Sequence, residues 1–328
     1  MILPRRSLGR SAIGLFAAAG LGSRASAQDN YPSRTVTIIV PFAAGGSTDF
    51  VGRLAAQSLS AALGQQFVVD NRTGASGTIG ATAVARARPD GYTLLVSPNS
   101  TFAMAPFLYQ VTYDNDRAFA PVSLLATNAM AVCVRASSPY RTVADLVAAA
   151  RARPNEVSYG SGGSGVSNHL AVELFAARQG IEMLHVPYRG GAPAAQAVLS
   201  GEVQLSFIDM VTAVPFVRDG SMRALAVTSA QRSAQLPNVP TLAESGVPGF
   251  QASTDIALFA PAGTPEPILR RLSEVVVAAM KTTEVRDRLA PLAIDPVGGT
   301  REEFPAYFQA ESAKWRDIIR ERNIRVEG

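Results

Sequence analysis

The sequence predicts an α/β protein with a mainly parallel sheet, and three observations carry the prediction. Short β-branched apolar runs alternate along the chain with segments of helical hydrophobic spacing. Twice, a glycine-rich loop stands between a buried strand and the start of a helix. The alternation restarts near Met130, giving two βαβ blocks and a C-terminal helical tail. With 47% hydrophobic and 17% charged residues, the 328-residue chain is globular and long enough to bury a large core.

The elements follow in order. Thr35–Val40 is β-branched and apolar, hence a buried strand. Phe50, Leu54, Leu59 and Leu63 repeat at helical intervals from Asp49 to Leu63, and Gly64 stops the helix. Gln66–Asp70 is a second strand and Thr78–Arg88 a short helix, closed by the turn Pro89-Asp90-Gly91. Tyr92–Val96 is a third strand. In the second block, strand Met130–Val134 leads to helix Val143–Ala152, strand Val157–Tyr159 and helix Asn168–Arg178. Strand Met183–Val186, helix Pro193–Ser200, strand Gln204–Ile208 and strand Arg223–Val227 continue it. The Pro- and Gly-rich stretch from Pro237 to Phe250 reads as a loop. Asp255–Ala260 is a strand, and helices Glu266–Met280 and Arg301–Glu321 close the chain. On the last helix Glu311 shares a face with Phe304, Tyr307, Phe308, Trp315, Ile318 and Ile319, so it is expected to pair with a basic group.

The N-terminus reads as an address. Arg5-Arg6 precedes the apolar stretch 12–22 and an Ala25-Ser26-Ala27 site, the pattern of a secretory signal peptide over residues 1–27. The mature chain is expected to begin near Gln28 and to be periplasmic, by either the Sec or the Tat route. Residues 1–27 hold Arg5, Arg6, Arg10 and Arg24 and no acid. Without these four, 26 basic groups face 26 acidic ones, a net of zero that offers no support for a nucleic-acid surface. One cysteine, Cys133, excludes an internal disulfide and a Cys-rich zinc site and fits a buried strand thiol. His169 and His185 have no partner at metal spacing, so no metal and no cofactor are expected.

Two loops carry the chemistry. In Pro41-Phe42-Ala43-Ala44-Gly45-Gly46-Ser47-Thr48-Asp49, the glycines allow a ligand to approach the backbone. Free amides and the dipole at the helix start favour an anion there. Ser47 and Thr48 add hydroxyls, and Asp49 is expected to cap the helix or orient the loop. The alternative is a plain tight turn. The second loop, Tyr159-Gly160-Ser161-Gly162-Gly163-Ser164-Gly165-Val166-Ser167-Asn168-His169, has the same context. Gly160, Gly162 and Gly165 also spell G-x-G-x-x-G, which raises a dinucleotide-dependent oxidoreductase as an alternative. The next strand ends in His185-Val186-Pro187-Tyr188-Arg189 without the acid that a ribose requires, and Arg189 alone suits a 2′-phosphate. The Gly-Lys pair of a Walker loop and a G-x-S-x-G elbow are both missing from the sequence. Two anion-accepting loops in two blocks suggest a cleft gripping a small carboxylate, with Ser97–Thr101, Tyr188–Gly191 and Asp209-Met210 facing it.

Taken in order, several stretches resemble the Bug, or TctC-like, family of extracytoplasmic solute receptors. They include Val40–Asp49, Val69–Gly77, Pro89–Leu95, Asn168-His169-Leu170, His185–Gly190, Leu225–Thr228, Pro240–Gly246 and Pro261–Pro265. The resemblance covers essentially the whole mature chain. It implies a type II periplasmic-binding-protein fold with two α/β lobes around a central ligand cleft. Residues 28–128 and 255–328 would form lobe one and 129–254 lobe two, with crossings near Ala126–Met130 and Ser253–Ala257. It implies a non-catalytic, monomeric receptor that delivers a small organic acid to the membrane permease subunits of a tripartite tricarboxylate transporter. A partner of a membrane sensor is the alternative of the same kind. Carried over by position, the ligand contacts are Ala44, Gly45, Gly46 and Thr48, then Ser161, Gly165, Ser167 and His169, with Asp209 beside them. Val166 stands where the family usually has Ser or Thr, which removes a hydroxyl from the second loop.

Overall fold

A computed structural model of the chain describes residues 31–326, so the leader expected over 1–27 lies outside the described residues. Strand β1 (Val36–Val40) is apolar except for the half-buried Thr37, because both its faces are covered. Val36, Ile38 and Val40 pack with Val51, Leu54 and Leu59 of helix α1 (Ser47–Leu63), whereas Ile39 joins the core on the other face. Gly64 closes α1 in the left-handed conformation, as its position after Leu63 predicts. Strand β2 (Phe67–Asn71), helix α2 (Thr78–Ala85) and strand β3 (Thr93–Pro98) complete the first βαβ block, with β2 and β3 parallel to β1 on either side.

Strand β4 (Phe119–Arg135) is 17 residues long and begins well before the Met130 at which the sequence pattern restarts. Helix α3 (Val143–Ala152) starts on a capping box made by Thr142 and Asp145. Next come strand β5 (Ser158–Ser161), helix α4 (Ser167–Gln179), strand β6 (Leu184–Pro187), helix α5 (Gly191–Ser200) and strand β7 (Leu205–Asp209). Here β5 runs parallel to both β6 and β7. Helix α6 (Met210–Arg218) follows directly on β7 and precedes strand β8 (Met222–Val227). Strand β9 (Ser253–Pro261) returns, and helix α7 (Glu266–Met280), helix α8 (Thr283–Leu289), strand β10 (Ile294–Pro296) and helix α9 (Phe304–Glu321) end the described chain.

The sheet is mixed rather than mainly parallel. Its order is β2-β1-β3-β9-β4-β7-β5-β6, with β8 and β10 also pairing with β4. The parallel pairs lie in the two wings, and β9 is antiparallel to both β3 and β4. The reason is topological. Strand β4 carries the chain out of the first half of the sheet and β9 carries it back, so the two must run in opposite directions. Between Phe119 and Ala129, β4 pairs with β9; from Met130 onward it pairs with β7 and β8. Thr228 marks this exchange, its hydroxyl accepting from the Met130 amide at 2.8 Å.

Trp315 of α9 is fully buried and donates its indole N–H to Glu311 at 2.7 Å. Lys314 supplies the basic partner that Glu311 was expected to have. Cys133 is buried in β4, and burial pushes its thiol up to about 12. Such a thiol is not a nucleophile at neutral pH.

Candidate functional site

The first glycine-rich loop joins β1 to α1. Gly45 has φ +90°, a conformation that favours glycine, and no atom lies within 4 Å of the Cβ it lacks. Asp49 fixes the loop. Its Oδ2 accepts from the Gly45 amide and from Arg53, both at 3.0 Å, and its Oδ1 accepts from Asn71 at 2.9 Å. Burial works to raise this carboxyl, but Arg53, the Gly45 amide and Asn71 outweigh it and hold it below the ordinary range. Asp49 therefore orients the loop and does not cap the helix end. The first intrahelical bond of α1 runs from the Phe50 amide to Gly46, so the amides of Ser47, Thr48 and Asp49 remain outside the helical ladder.

The second loop joins β5 to α4 in the same manner, with the first helical bond from Leu170 to Val166. Asn168 accepts from the Gly162 amide at 3.2 Å, and His169 Nδ1 accepts from the Gly165 amide at 3.0 Å. His169 stacks on His185 with ring centroids 3.9 Å apart and planes 12° from parallel, and Tyr159 packs against both. Burial and then the neighbouring His185 hold the His169 imidazole down to about 3, and burial holds His185 down to about 4. Both rings are neutral at physiological pH. Ser161 Oγ lies 2.6 Å from His185 Nε2 and contacts the Gly163 backbone.

A third loop of this kind joins β6 to α5 through Tyr188-Arg189-Gly190. All three helix starts open onto one cavity of about 520 Å³. Phe42–Asp49 line one wall, and Gly162, Val166–Asn168 and Arg189–Pro193 line the opposite one. Pro98, Ser100, Asp209, Val211, Thr212 and Thr254 complete the lining. Strands β4 and β9 join the two halves beside it. Three positive dipole ends with open amides, plus the exposed Arg189, make this an anion-accepting cavity. Beside it, Asn99 binds both halves together. It accepts from Ser167 Oγ at 2.9 Å and donates to the Ser253 carbonyl and to Asp255. Tyr307 of α9 also donates to Asp255, at 2.5 Å.

The structure brings Ala44, Gly45, Gly46, Thr48, Ser167 and Asp209 together on the cavity wall. It places Ser161, Gly165 and His169 behind the second loop, where they are buried and shape it. Gly165 has φ +78°, and a Cβ there would lie 2.5 Å from Leu108 of the other half. The glycines of G-x-G-x-x-G thus answer to close chain packing. A Cβ on Gly162 would meet the Gly190–Gly191 backbone at 3.2 Å, and one on Gly160 would meet Tyr188 and Val203 at 3.3 Å. Sequence reasoning left Ala192, Pro193, Val211, Thr212 and Thr254 out of the site. Of the third loop, expected at the cleft as Tyr188–Gly191, Arg189, Gly190 and Gly191 line the cavity.

Comparison with known proteins agrees with this fold. Residues 51–324 match the family model described as the tripartite tricarboxylate transporter family receptor. Protein BugT of Bordetella pertussis is 35% identical over 322 residues, covering 96% of this chain and 97% of its own. The solved structure of R. palustris Rpa4515 with adipate is 37% identical with a TM-score of 0.83, over 90% of this chain and 99% of that one. MatC from Rhodopseudomonas palustris with bound malate is 34% identical with a TM-score of 0.79, over 88% and 100%. These relatives are periplasmic-binding-protein folds and receptors rather than enzymes, which removes the oxidoreductase alternative. The chain belongs to the tripartite tricarboxylate transporter receptor family, that of the Bug proteins.

Proposed function

We propose that the chain is a periplasmic solute receptor that captures a small carboxylate in the cavity between its halves and hands it to the membrane subunits of a tripartite tricarboxylate transporter. The observation that carries this reading is the convergence of the starts of α1, α4 and α5, with Arg189, on one cavity. The related structures with adipate and with bound malate support a carboxylate as the solute. Open amides of Gly46–Thr48 hold the carboxylate from one side, and those of Val166–Asn168 from the other. Because Ser167 spends its proton on Asn99, its backbone rather than its hydroxyl serves the anion. Ser161, Gly165 and His169 act through the shape of the second loop. Lobe one comprises residues 28–128 and 255–328 and lobe two 129–254, with β4 and β9 as the hinge. The mature receptor is a monomer.

A thermal-shift screen of organic acids tests the reading. Ligand at 100 times its Kd adds about 2.7 kcal/mol to native stability, a shift of several degrees. A panel of mono-, di- and tricarboxylates without any shift refutes it.

A further inference from the structure

Asp209 is the feature of this cavity that a receptor for a bare anion does not explain. It ends β7, immediately before α6, and lines the same wall as the three helix starts. Its Oδ1 accepts from Thr254 of β9 at 3.0 Å. Among the described residues its Oδ2 has no hydrogen-bond partner, and it makes no cap bond to α6. The other charged groups lining the cavity are Asp49 and Arg189. Asp49 is fully engaged by Gly45, Arg53 and Asn71, so its charge is spent on the first loop. Asp209 has no such cation. Burial pushes its carboxyl up to about 6, against the Thr254 hydrogen bond, so at pH 7.5 it is still predominantly ionised. An ionised carboxylate with an open oxygen repels a second carboxylate, and it attracts a hydrogen-bond donor.

We infer that Asp209 selects among carboxylates: the solute carries a hydroxyl or ammonium group beside its carboxylate, and Asp209 Oδ2 receives that donor while the helix starts hold the anion. This rests on the carboxylate reading above and narrows it. A site built to accept a donor rejects the analogue that lacks one, because its own polar group is then left unpaired. Asp209 is thus a specificity residue, and the bare diacid pays the repulsion.

Two matched series test this by calorimetric titration of the mature chain at pH 7.5. The first is succinate, L-malate and L-aspartate; the second is phenylacetate, mandelate and phenylglycine. In at least one series the wild type should bind a donor-bearing acid at least tenfold more tightly than the plain one. Asp209→Ala should bring that ratio to within about threefold, since it removes both the donor's partner and the repulsion of the plain acid, and melting without ligand shows that the variant is folded. Asp209→Asn tells the two donors apart. It abolishes a preference for ammonium, which needs the charge, and largely retains one for hydroxyl. Plain acids bound as tightly as their partners, or a preference that survives Asp209→Ala, overturns the inference and leaves the carboxylate reading standing. If no acid of either series binds, the inference falls, and the wider thermal-shift panel of organic acids decides the carboxylate reading separately.

Discussion

Substituting Gly46 separates charge from bulk at the first loop. Gly46 is exposed, its φ of −84° suits any residue, and an added Cβ meets nothing nearer than the Ala43 carbonyl at 4.0 Å. Both Gly46→Asp and Gly46→Asn should therefore fold. Gly46 is also the N-cap of α1 and offers no side-chain cap, so Asp or Asn there can cap the helix and add a few tenths of a kcal/mol. The new carboxylate would project toward the bound anion. At a separation of about 5 Å and an effective dielectric near 20, two like charges repel by about 3 kcal/mol. Salt and exposure reduce that, so at physiological ionic strength Gly46→Asp should weaken binding at least tenfold relative to Gly46→Asn. Calorimetry with the acid identified by thermal shift measures the ratio, and melting in its absence measures stability. Equal affinities of the two variants would refute an anion held at these amides, and unchanged affinity in both would show that the loop is only a turn.

Three further perturbations test the second half. The imidazoles of His169 and His185 are held at about 3 and about 4 in the folded chain, against 6.5 when unfolded. Below about pH 6.5 the unfolded chain therefore takes up protons that the folded chain refuses, and stability falls as pH falls. Asp209, raised by burial, opposes this slope, so the test is the difference: replacing both histidines by Gln should flatten the fall in melting temperature between pH 6.5 and pH 4. Arg322 pairs with Glu182 and with Glu173, which also accepts from Tyr159. Arg322→Ala strands the nearly buried Glu173 charge and should cost roughly 3–5 kcal/mol in denaturant unfolding, with partial recovery on adding Glu173→Gln. Gly165→Ala should lower stability by at least about 1–2 kcal/mol in denaturant unfolding, because its left-handed backbone is strained and the new Cβ also presses on Leu108.

The wings of the fold were legible because each strand there is followed by a helix of clear periodicity, as in Val36–Val40 with α1. The centre was not. Alternation implies parallel pairing, but β4 and β9 join the halves through turns and loops that carry no such signal. The first part of β4 contains Pro121, where its register against β9 shifts, so residues 119–129 do not read as a strand. Helix α6 carries Pro215 in its interior, and β10 is only three residues long and ends in Pro296. The two glycine-rich loops announced themselves because open amides at a helix start need glycine beside them. The Ser167–Asn99–Asp255 chain did not, because its members lie up to 156 residues apart and polar pairing at that range leaves no local pattern.

A crystal structure of the mature chain with the tightest-binding acid tests the central claim most directly. A carboxylate should lie in the cavity between the halves, within hydrogen-bonding distance of amides from Gly46–Thr48 and from Val166–Asn168. A second cavity, of about 590 Å³, lies between α9 and the start of β4, lined by Phe107, Phe119, Phe259, Phe304 and Phe308. An acid found there, with the glycine-rich loops unengaged, would contradict the account.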